Sequence, residues 1–372
     1  MAILGMHSFD YGYSIGDYGG SYWDGNNAHV SSSTVSRTGP RSLRLQCYGA
    51  FGTPGMASWT LGNVTTAWAQ AAYYCSNAQG ALYTNKDKFG IFGFWEGYRS
   101  INHVSIGWDT STLQLVASRN GTEIARSTQD NLFTQDTWIF MEVKVVIHDT
   151  AGSVLVKLNG TTHIDASNLN TRNGGSGVTT HVVLGTGCTG YNQLAYFDDF
   201  MYGNGTGSPV SPPGDSRVEY LVPVAGGAKT QFTPSAGSNW GNVDELGVAS
   251  DADYNWASEV GSTDVFAMSN LSGNGIVHAV QTVIRARKDD AGFRLVKPAF
   301  HKSIGQGDTV RLYTSAAPAV SVGDSFTYSR SLLTASPDTS LAWTVEEIAD
   351  LQFGYVVGGG SQFSTDAWIA AF

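Results

Sequence analysis

Between Trp138 and Ser167 apolar residues recur at every second position, in WIFMEVKVVIHDTAGSVLVKLNGTTHIDAS. The alternation breaks at Asp149-Thr150-Ala151-Gly152, resumes, and breaks again at Asn159-Gly160. A period of two sends successive side chains to opposite faces of an extended chain, and Asn-Gly favours a tight hairpin turn. The segment therefore predicts a three-stranded antiparallel meander. Ile139, Met141, Val143, Val145 and Ile147 share one face, and Trp138, Phe140, Glu142, Lys144 and Val146 share the other. The second face is apolar at one end, which predicts that part of the outside of this sheet is covered.

The same period recurs across residues 1–202. Arg41 to Cys47 alternates at 43, 45 and 47, and Phe89 to Trp95 is an aromatic strand. Val104–Trp108, Leu113–Ser118 and Glu123–Ser127 follow, with Asn120-Gly121 as a hairpin turn, and then His181–Leu184 and Leu194–Tyr202. Residues 203–216, GNGTGSPVSPPGDS, hold Gly, Pro and Ser and read as a linker. Beyond it, Val218–Val224, Asp264–Met268, Gly275–Lys288, Phe293–Phe300, Thr309–Thr314 and Phe326–Leu333 read as strands. Thr344-Val345-Glu346-Glu347 is a capping box; the run IADLQF continues it as a short helix, with Gly354 as its stop. Residues 358–372 are three glycines and an apolar tail. No repeat of fixed period is present. The expected architecture is all-β: an antiparallel sandwich over 1–202, a linker over 203–216, a smaller mainly-β domain with one short helix over 217–357, and a Gly-rich hinge with an apolar tail over 358–372.

Composition agrees with many tight turns between strands. Gly is 45 of 372 residues, well above the usual roughly 7%. Charged residues are 14% and aromatics 12%, which opposes disorder. The net charge of −10 without a Lys/Arg-rich run argues against a nucleic-acid partner. The first twenty residues lack a basic and apolar leader pattern, and no run of 18 apolar residues exists, so neither a secretory signal nor a membrane span is expected. Cys47, Cys75 and Cys188 are far apart and odd in number. They read as free thiols, with one disulfide or an inter-chain bond as the alternative.

Candidate chemistry is sparse. Asp198-Asp199 invites calcium, but on a regular strand the two side chains point to opposite faces, so one is expected in solvent and one on a neighbouring loop. Asp251-Ala252-Asp253 beside Tyr254 and Trp256 reads as a turn, with metal or glycan binding as the alternative. Gly185-Thr186-Gly187-Cys188-Thr189-Gly190 follows a strand, but no helix follows to cradle a phosphate. No E-x-D-x-x-E-like run aligns two carboxylates on one strand face for glycoside cleavage; Glu142 is followed on its face by Lys144, and Glu96 has no acidic neighbour. The eight His lack metal spacing, and there is no G-x-S-x-G elbow. No cofactor or catalytic residue is expected. The aromatics are the positive signal: Tyr11, Tyr13, Tyr18, Tyr22 and Trp23 in a Gly-rich start either stack on sugars, anchor an interface, or cover a sandwich edge. Trp368, Ile369 and Phe372 in the tail are expected to dock on a neighbouring subunit.

The ordered set Ser42-Leu43-Arg44-Leu45, Trp138 with Glu142-Val143-Lys144, Gly152-Ser153-Val154, Val156-Lys157-Leu158-Asn159-Gly160, and Tyr196-Phe197-Asp198-Asp199-Phe200 before Gly203–Gly207 resembles a known pattern. It resembles the concanavalin A-like, laminin G-like jelly-roll domain of tailed-phage structural proteins. The second half looks like the β domain that follows it there. Its marks are Gly214–Val218, Val243-Asp244-Glu245, Ala279-Val280-Gln281, Ala286–Gly292, Pro337-Asp338-Thr339 and Ala342-Trp343-Thr344. The resemblance covers about residues 1–356. It implies a non-enzymatic virion component that assembles with copies of itself and with other virion proteins. A glycan-binding receptor-recognition protein is the alternative, with a glycoside hydrolase behind it.

Overall fold

The computed structural model describes residues 3–12, 14–22, 28–32, 35–46, 55–76, 90–98, 100–109, 111–185, 194–247, 250–289, 294–302, 311–314, 320–321, 323–358 and 365–371. The chain divides into two units, Met1–Val218 and Glu219–Phe372.

The first unit is an antiparallel jelly-roll sandwich. One sheet runs in the order Thr161–Leu169, Gly152–Leu158, Ile139–Val146, Thr66–Ser76, Leu194–Asn204, Arg41–Gln46, Ala28–Ser32, with Ile3–His7 also pairing Leu194–Asn204. The other runs Thr122–Arg126, Leu115–Arg119, Ile101–Trp108, Phe92–Glu96, Thr179–Gly185, Met56–Val64, Ser21–Tyr22. The predicted meander is the end of the first sheet. Its Asn159-Gly160 turn has φ values of 47° and 80°, and Asn120-Gly121 has 45° and 84°, both left-handed pairs suited to two-residue hairpins. Met141, Val143 and Val145 are fully buried on the inner face. Phe140, on the outer face, is also buried, and the Arg37 guanidinium lies over its ring at 5.0 Å. The expected outer cover therefore exists at that end of the sheet.

The cover includes the segment read as a linker. The strand Leu194–Asn204 runs two residues into it, and the rest packs on the first unit. Lys144 Nζ donates to Ser211 Oγ at 2.9 Å, and the Gly214 N–H faces Glu142. Lack of large apolar groups marked a linker; here backbone and small polar groups of the segment serve polar side chains of the sheet.

The second unit has two sheets. One runs Pro223–Thr230, Thr263–Met268, Leu351–Gly358, Leu295–Lys302, Arg311–Thr314, with Val320–Ser321 on Leu295–Lys302. The other runs Thr233–Pro234, Asn255–Trp256, Thr365–Ala371, Val280–Lys288, Thr327–Leu333. Phe266 and Tyr355 from the first, with Ile284 and Ala286 from the second, pack around Phe232. The α-helix is Val345–Asp350, capped by Thr344, whose Oγ1 accepts the Glu347 N–H at 3.0 Å. The expected helical continuation through Phe353 is instead the strand Leu351–Gly358. Leu351, Phe353 and Tyr355 alternate into the core, and that burial outweighs one further helical turn.

The tail also departs from expectation. Thr365–Ala371 pairs with Val280–Lys288 along seven residues, and Asn255 pairs with Ala367 on its other side. The backbone at Trp368 and Ile369 is thus an inner strand of its own unit rather than an arm reaching another subunit. Phe372 lies outside the described residues.

Candidate functional site

A dense polar cluster lies at the bulge in the middle of the strand Leu194–Asn204. In its pairing with Thr66–Ser76, Asp198 opposes Ala72 and Met201 opposes Gln70, so the bulged strand has one extra residue. Asp199 takes φ 52° at this bulge. The alternation of faces fails there, and both carboxylates reach the same loop. This corrects the expectation of one solvated and one bonded Asp.

Asp198 Oδ2 accepts the N–H groups of Arg37 at 2.7 Å and Thr38 at 3.0 Å. Asp199 Oδ2 accepts from Arg37 Nη1 at 3.0 Å and Thr38 Oγ1 at 3.1 Å, and its Oδ1 accepts the Val218 N–H at 2.8 Å. Arg37 Nη2 reaches Asp215 Oδ1 at 2.5 Å, and Arg217 Nη1 donates to Arg37 O at 3.3 Å and Thr38 Oγ1 at 3.1 Å. Asp10 Oδ1 accepts the Arg41 N–H at 3.0 Å. Gly39 sits at φ 67°, where an added Cβ would lie 2.3 Å from Asp10 Oδ2.

Asp10, Asp198 and Asp199 are essentially without solvent exposure. Burial raises the Asp10 pKa to about 7 against the opposing Arg41 N–H and Ser8 bonds. Burial, with Asp199 beside it, raises Asp198 well above the usual carboxylate range. Burial also raises Asp199, opposed by the Val218 N–H and Arg37. Chemically this is a clasp. The Asp198 and Asp199 oxygens are taken by groups of the same chain, and the clasp fastens the Arg37–Arg41 loop and residues 214–218 onto the sheet. Sequence reasoning missed Asp10, Arg37 and Gly39: Arg37-Thr38-Gly39-Pro40 signals a turn, but nothing local names its partner 160 residues away.

A second cluster joins Glu96 and His103. His103 Nε2 lies 3.2 Å from Glu96 Oε2 and 3.1 Å from Val178 O, while Nδ1 accepts the Asn173 N–H at 3.0 Å. This pattern fits the neutral ring with its proton on Nε2. Burial lowers the His103 pKa, opposed by Glu96 and Val178. Burial pushes Glu96 up, but hydrogen bonds from Ser176 N–H, Ser176 Oγ and His103 outweigh it and leave it lowered. His103 has no exposed surface, the Glu96 side chain keeps 20% of its own, and the pair anchors the 172–178 loop.

The aromatic candidates separate. Tyr11 and Tyr18 are 2% and 1% exposed, with ring centroids 4.5 Å apart. The 3-10 turn Ile15–Tyr18 folds the Gly-rich start inward, and Tyr18 Oη donates to Gly12 O while accepting the Gly12 N–H at 2.7 Å. They belong to a ring cluster with His7, Phe9, Trp59 and Phe200, so neither is a glycan or interface residue. Tyr22 lies in the strand Ser21–Tyr22; Tyr13 and Trp23 fall outside the described residues. Tyr254 packs on the second unit's core, and Trp256 is 39% exposed. Residues 251–253 form bends, as read, and Asp251 is also ion-paired to Arg285. Cys75 is a buried free thiol, which burial raises to about 11; Cys47, Cys188 and the Gly-rich run from Thr186 onward lie outside the described residues. Among the described residues, no group of three or more His, Cys, Asp or Glu is placed to hold a metal, and no helix is long and apolar enough to cross a membrane.

No family model and no curated protein matches the chain. Several solved structures are similar at low identity. The alginate lyase Aly36B is 13% identical over 52% of this chain and 92% of its own, with a TM-score of 0.39. The cellulose induced protein Cip1 is 14% identical over 57% and 98%, at 0.39. A carbohydrate esterase from the Shiga toxin-encoding bacteriophage phi24B is 14% identical over 54% and 100%, at 0.35. Likeness of this depth carries no argument about activity or ligand.

Proposed function

We propose that this chain is a non-catalytic structural component of a tailed-phage virion, assembling with copies of itself and with other virion proteins. The observation that carries the non-catalytic part is the use of its buried acids. Asp198 and Asp199 hold a loop and an exit segment, and Asp264 accepts the Gln231 N–H at 2.7 Å, the Phe232 N–H at 2.9 Å and Asn239 Nδ2 at 2.6 Å. Burial raises these three carboxyls, as it raises Asp10, Glu142 and Glu245, and in an enzyme such shifts would serve proton transfer. Here each bonds its own backbone and none meets a second carboxylate across a cleft, as cleavage of a glycosidic bond requires. The virion part rests on the ordered motifs from Ser42 to Phe200 and on the two-unit arrangement. The test is mass spectrometry of purified particles, together with immunogold labelling. Stoichiometric presence on the particle supports the reading; absence from purified particles rejects it.

A further inference from the structure

Five Asn-Gly pairs occur in the chain, at Asn120, Asn159, Asn173, Asn204 and Asn274. Such a pair can react with itself. The Gly nitrogen gives its proton to solvent base and bonds the Asn Cγ. The Cγ–Nδ2 bond breaks, the amide nitrogen leaves as ammonia with a proton from water, and a succinimide ring remains. Water then opens either carbonyl of the ring, giving Asp or an isoaspartyl linkage. Gly puts no side chain beside the attacking nitrogen, so all five pairs share the same intrinsic chemistry. The fold separates them. Ring closure requires the Asn ψ to rotate until the Gly nitrogen faces Cγ, and that nitrogen must be free to lose its proton.

Four of the pairs are held. Asn120-Gly121 and Asn159-Gly160 form two-residue hairpin turns between paired strands, with positive φ at every residue, and the turn fixes the rotation. Asn159 is tied further: its Oδ1 accepts the Phe140 N–H at 2.9 Å, and its own N–H donates to Phe140 O at 2.8 Å. Asn173 donates its N–H to His103 Nδ1 at 3.0 Å, and Gly174 O accepts from Arg172 Nε at 3.1 Å. Asn204 Oδ1 accepts from Thr206 Oγ1 at 2.9 Å, and the Gly205 N–H, which would have to attack, donates to Thr66 O at 2.9 Å. Asn274-Gly275 differs on each count. It lies in the connection between Thr263–Met268 and Val280–Lys288, where residues 272–276 are all exposed and Ile276 is 81% exposed. A Cβ at Gly273 or Gly275 would meet nothing within 4 Å. Ser272 is anchored, its N–H donating to Glu219 Oε2 at 2.7 Å, but no described residue bonds the Asn274 carboxamide or the Gly275 N–H. We propose that Asn274 is a self-modification site of this protein. It closes to a succinimide ahead of the other four pairs and leaves an added carboxylate beside Ile276.

The test incubates the full chain at mildly alkaline pH, folded and in urea. Peptide mapping with electron-transfer fragmentation follows all five sites and separates Asp from isoaspartate. In the folded chain Asn274 is expected to react faster than each of the other four by about tenfold or more, the rate equivalent of opening a held pair. In urea the five rates are expected to converge, because the sequence chemistry is shared. Asn274→Gln requires a larger, slower ring. It is expected to remove the leading acidic isoform on isoelectric focusing with an unchanged melting temperature. An intact Asn274, another pair reacting as fast in the folded chain, the same ranking in urea, or persistence of that isoform in Asn274→Gln overturns the proposal.

Discussion

Burial holds the Asp10 carboxyl protonated up to about pH 7, although the Arg41 N–H and Ser8 favour its anion. An unfolded Asp titrates near about 3.9. Between those values the folded chain binds more protons than the unfolded chain. The contribution of Asp10 to stability is therefore largest below about pH 4, falls as pH rises to about 7, and is level above. Asp10→Asn keeps an oxygen for Arg41 and removes the titration. Urea unfolding of the first unit is expected to give similar stabilities at pH 4 and a variant more stable by about 1–3 kcal/mol at pH 7.5. Parallel pH curves would show that Asp10 does not titrate between folded and unfolded states. Beside it, Gly39→Ala places a methyl 2.3 Å from Asp10 Oδ2 at φ 67°, whereas Gly174→Ala has the same φ with open space. The left-handed backbone costs each about 1–2 kcal/mol. Gly39→Ala is expected to lose at least about 1–2 kcal/mol more in the same melt, since the clash is with a packed side chain. Residue-level chemistry was the least legible part of the sequence. Asp198-Asp199 stood out, but its geometry depends on a bulge at φ 52°, which alternation of side chains does not reveal.

At the level of elements, the meander from Ile139 to Leu169 and the Asn-Gly hairpins were legible because one face is core and the other mixed. Met56–Val64 and Thr66–Ser76 were not. In TAWAQAAYYCS, residues of both faces are buried, and alanine fits either face, so the period disappears. The packing of the segment read as a linker was not legible because Gly, Pro and Ser contribute backbone groups rather than apolar area. Its attachment is testable. Arg37→Met leaves Asp199 buried without its cation and is expected to cost about 3 kcal/mol. It should also speed hydrogen exchange at Val218, whose N–H is held by Asp199. Asp215→Asn acts on a half-exposed partner and is expected to cost under about 1 kcal/mol. Equal effects of the two substitutions would contradict the clasp. The tail makes the opposite case: an apolar end suggested another subunit, yet its backbone completes a sheet in cis. Truncation after Gly358 removes the strand between Asn255–Trp256 and Val280–Lys288. Near-UV circular dichroism and melting are expected to show loss of the second unit with the first retained. A truncated chain that keeps the second unit's transition would rule out this strand's structural role.

At the scale of the molecule, two β units carry different polar chemistry. The first spends its buried acids on fixing loops and its exit segment; the second stacks Arg285 and Arg287 on Phe326. The all-β class could be read from alternation; the two units divide after Val218, and the Gly/Pro/Ser run belongs to the first of them. A structural role fits a chain in which Asp198, Asp199 and Asp264 each accept from its own backbone. The central claim is the proposal that this chain is built into a virion, and the most direct measurement is cryo-electron microscopy of purified phage particles from cells that produce it. The account predicts that both β units fit symmetry-related density on the particle surface, in fixed copy number. Particles complete and infectious without such density, with the chain only in the unbound fraction, would contradict it.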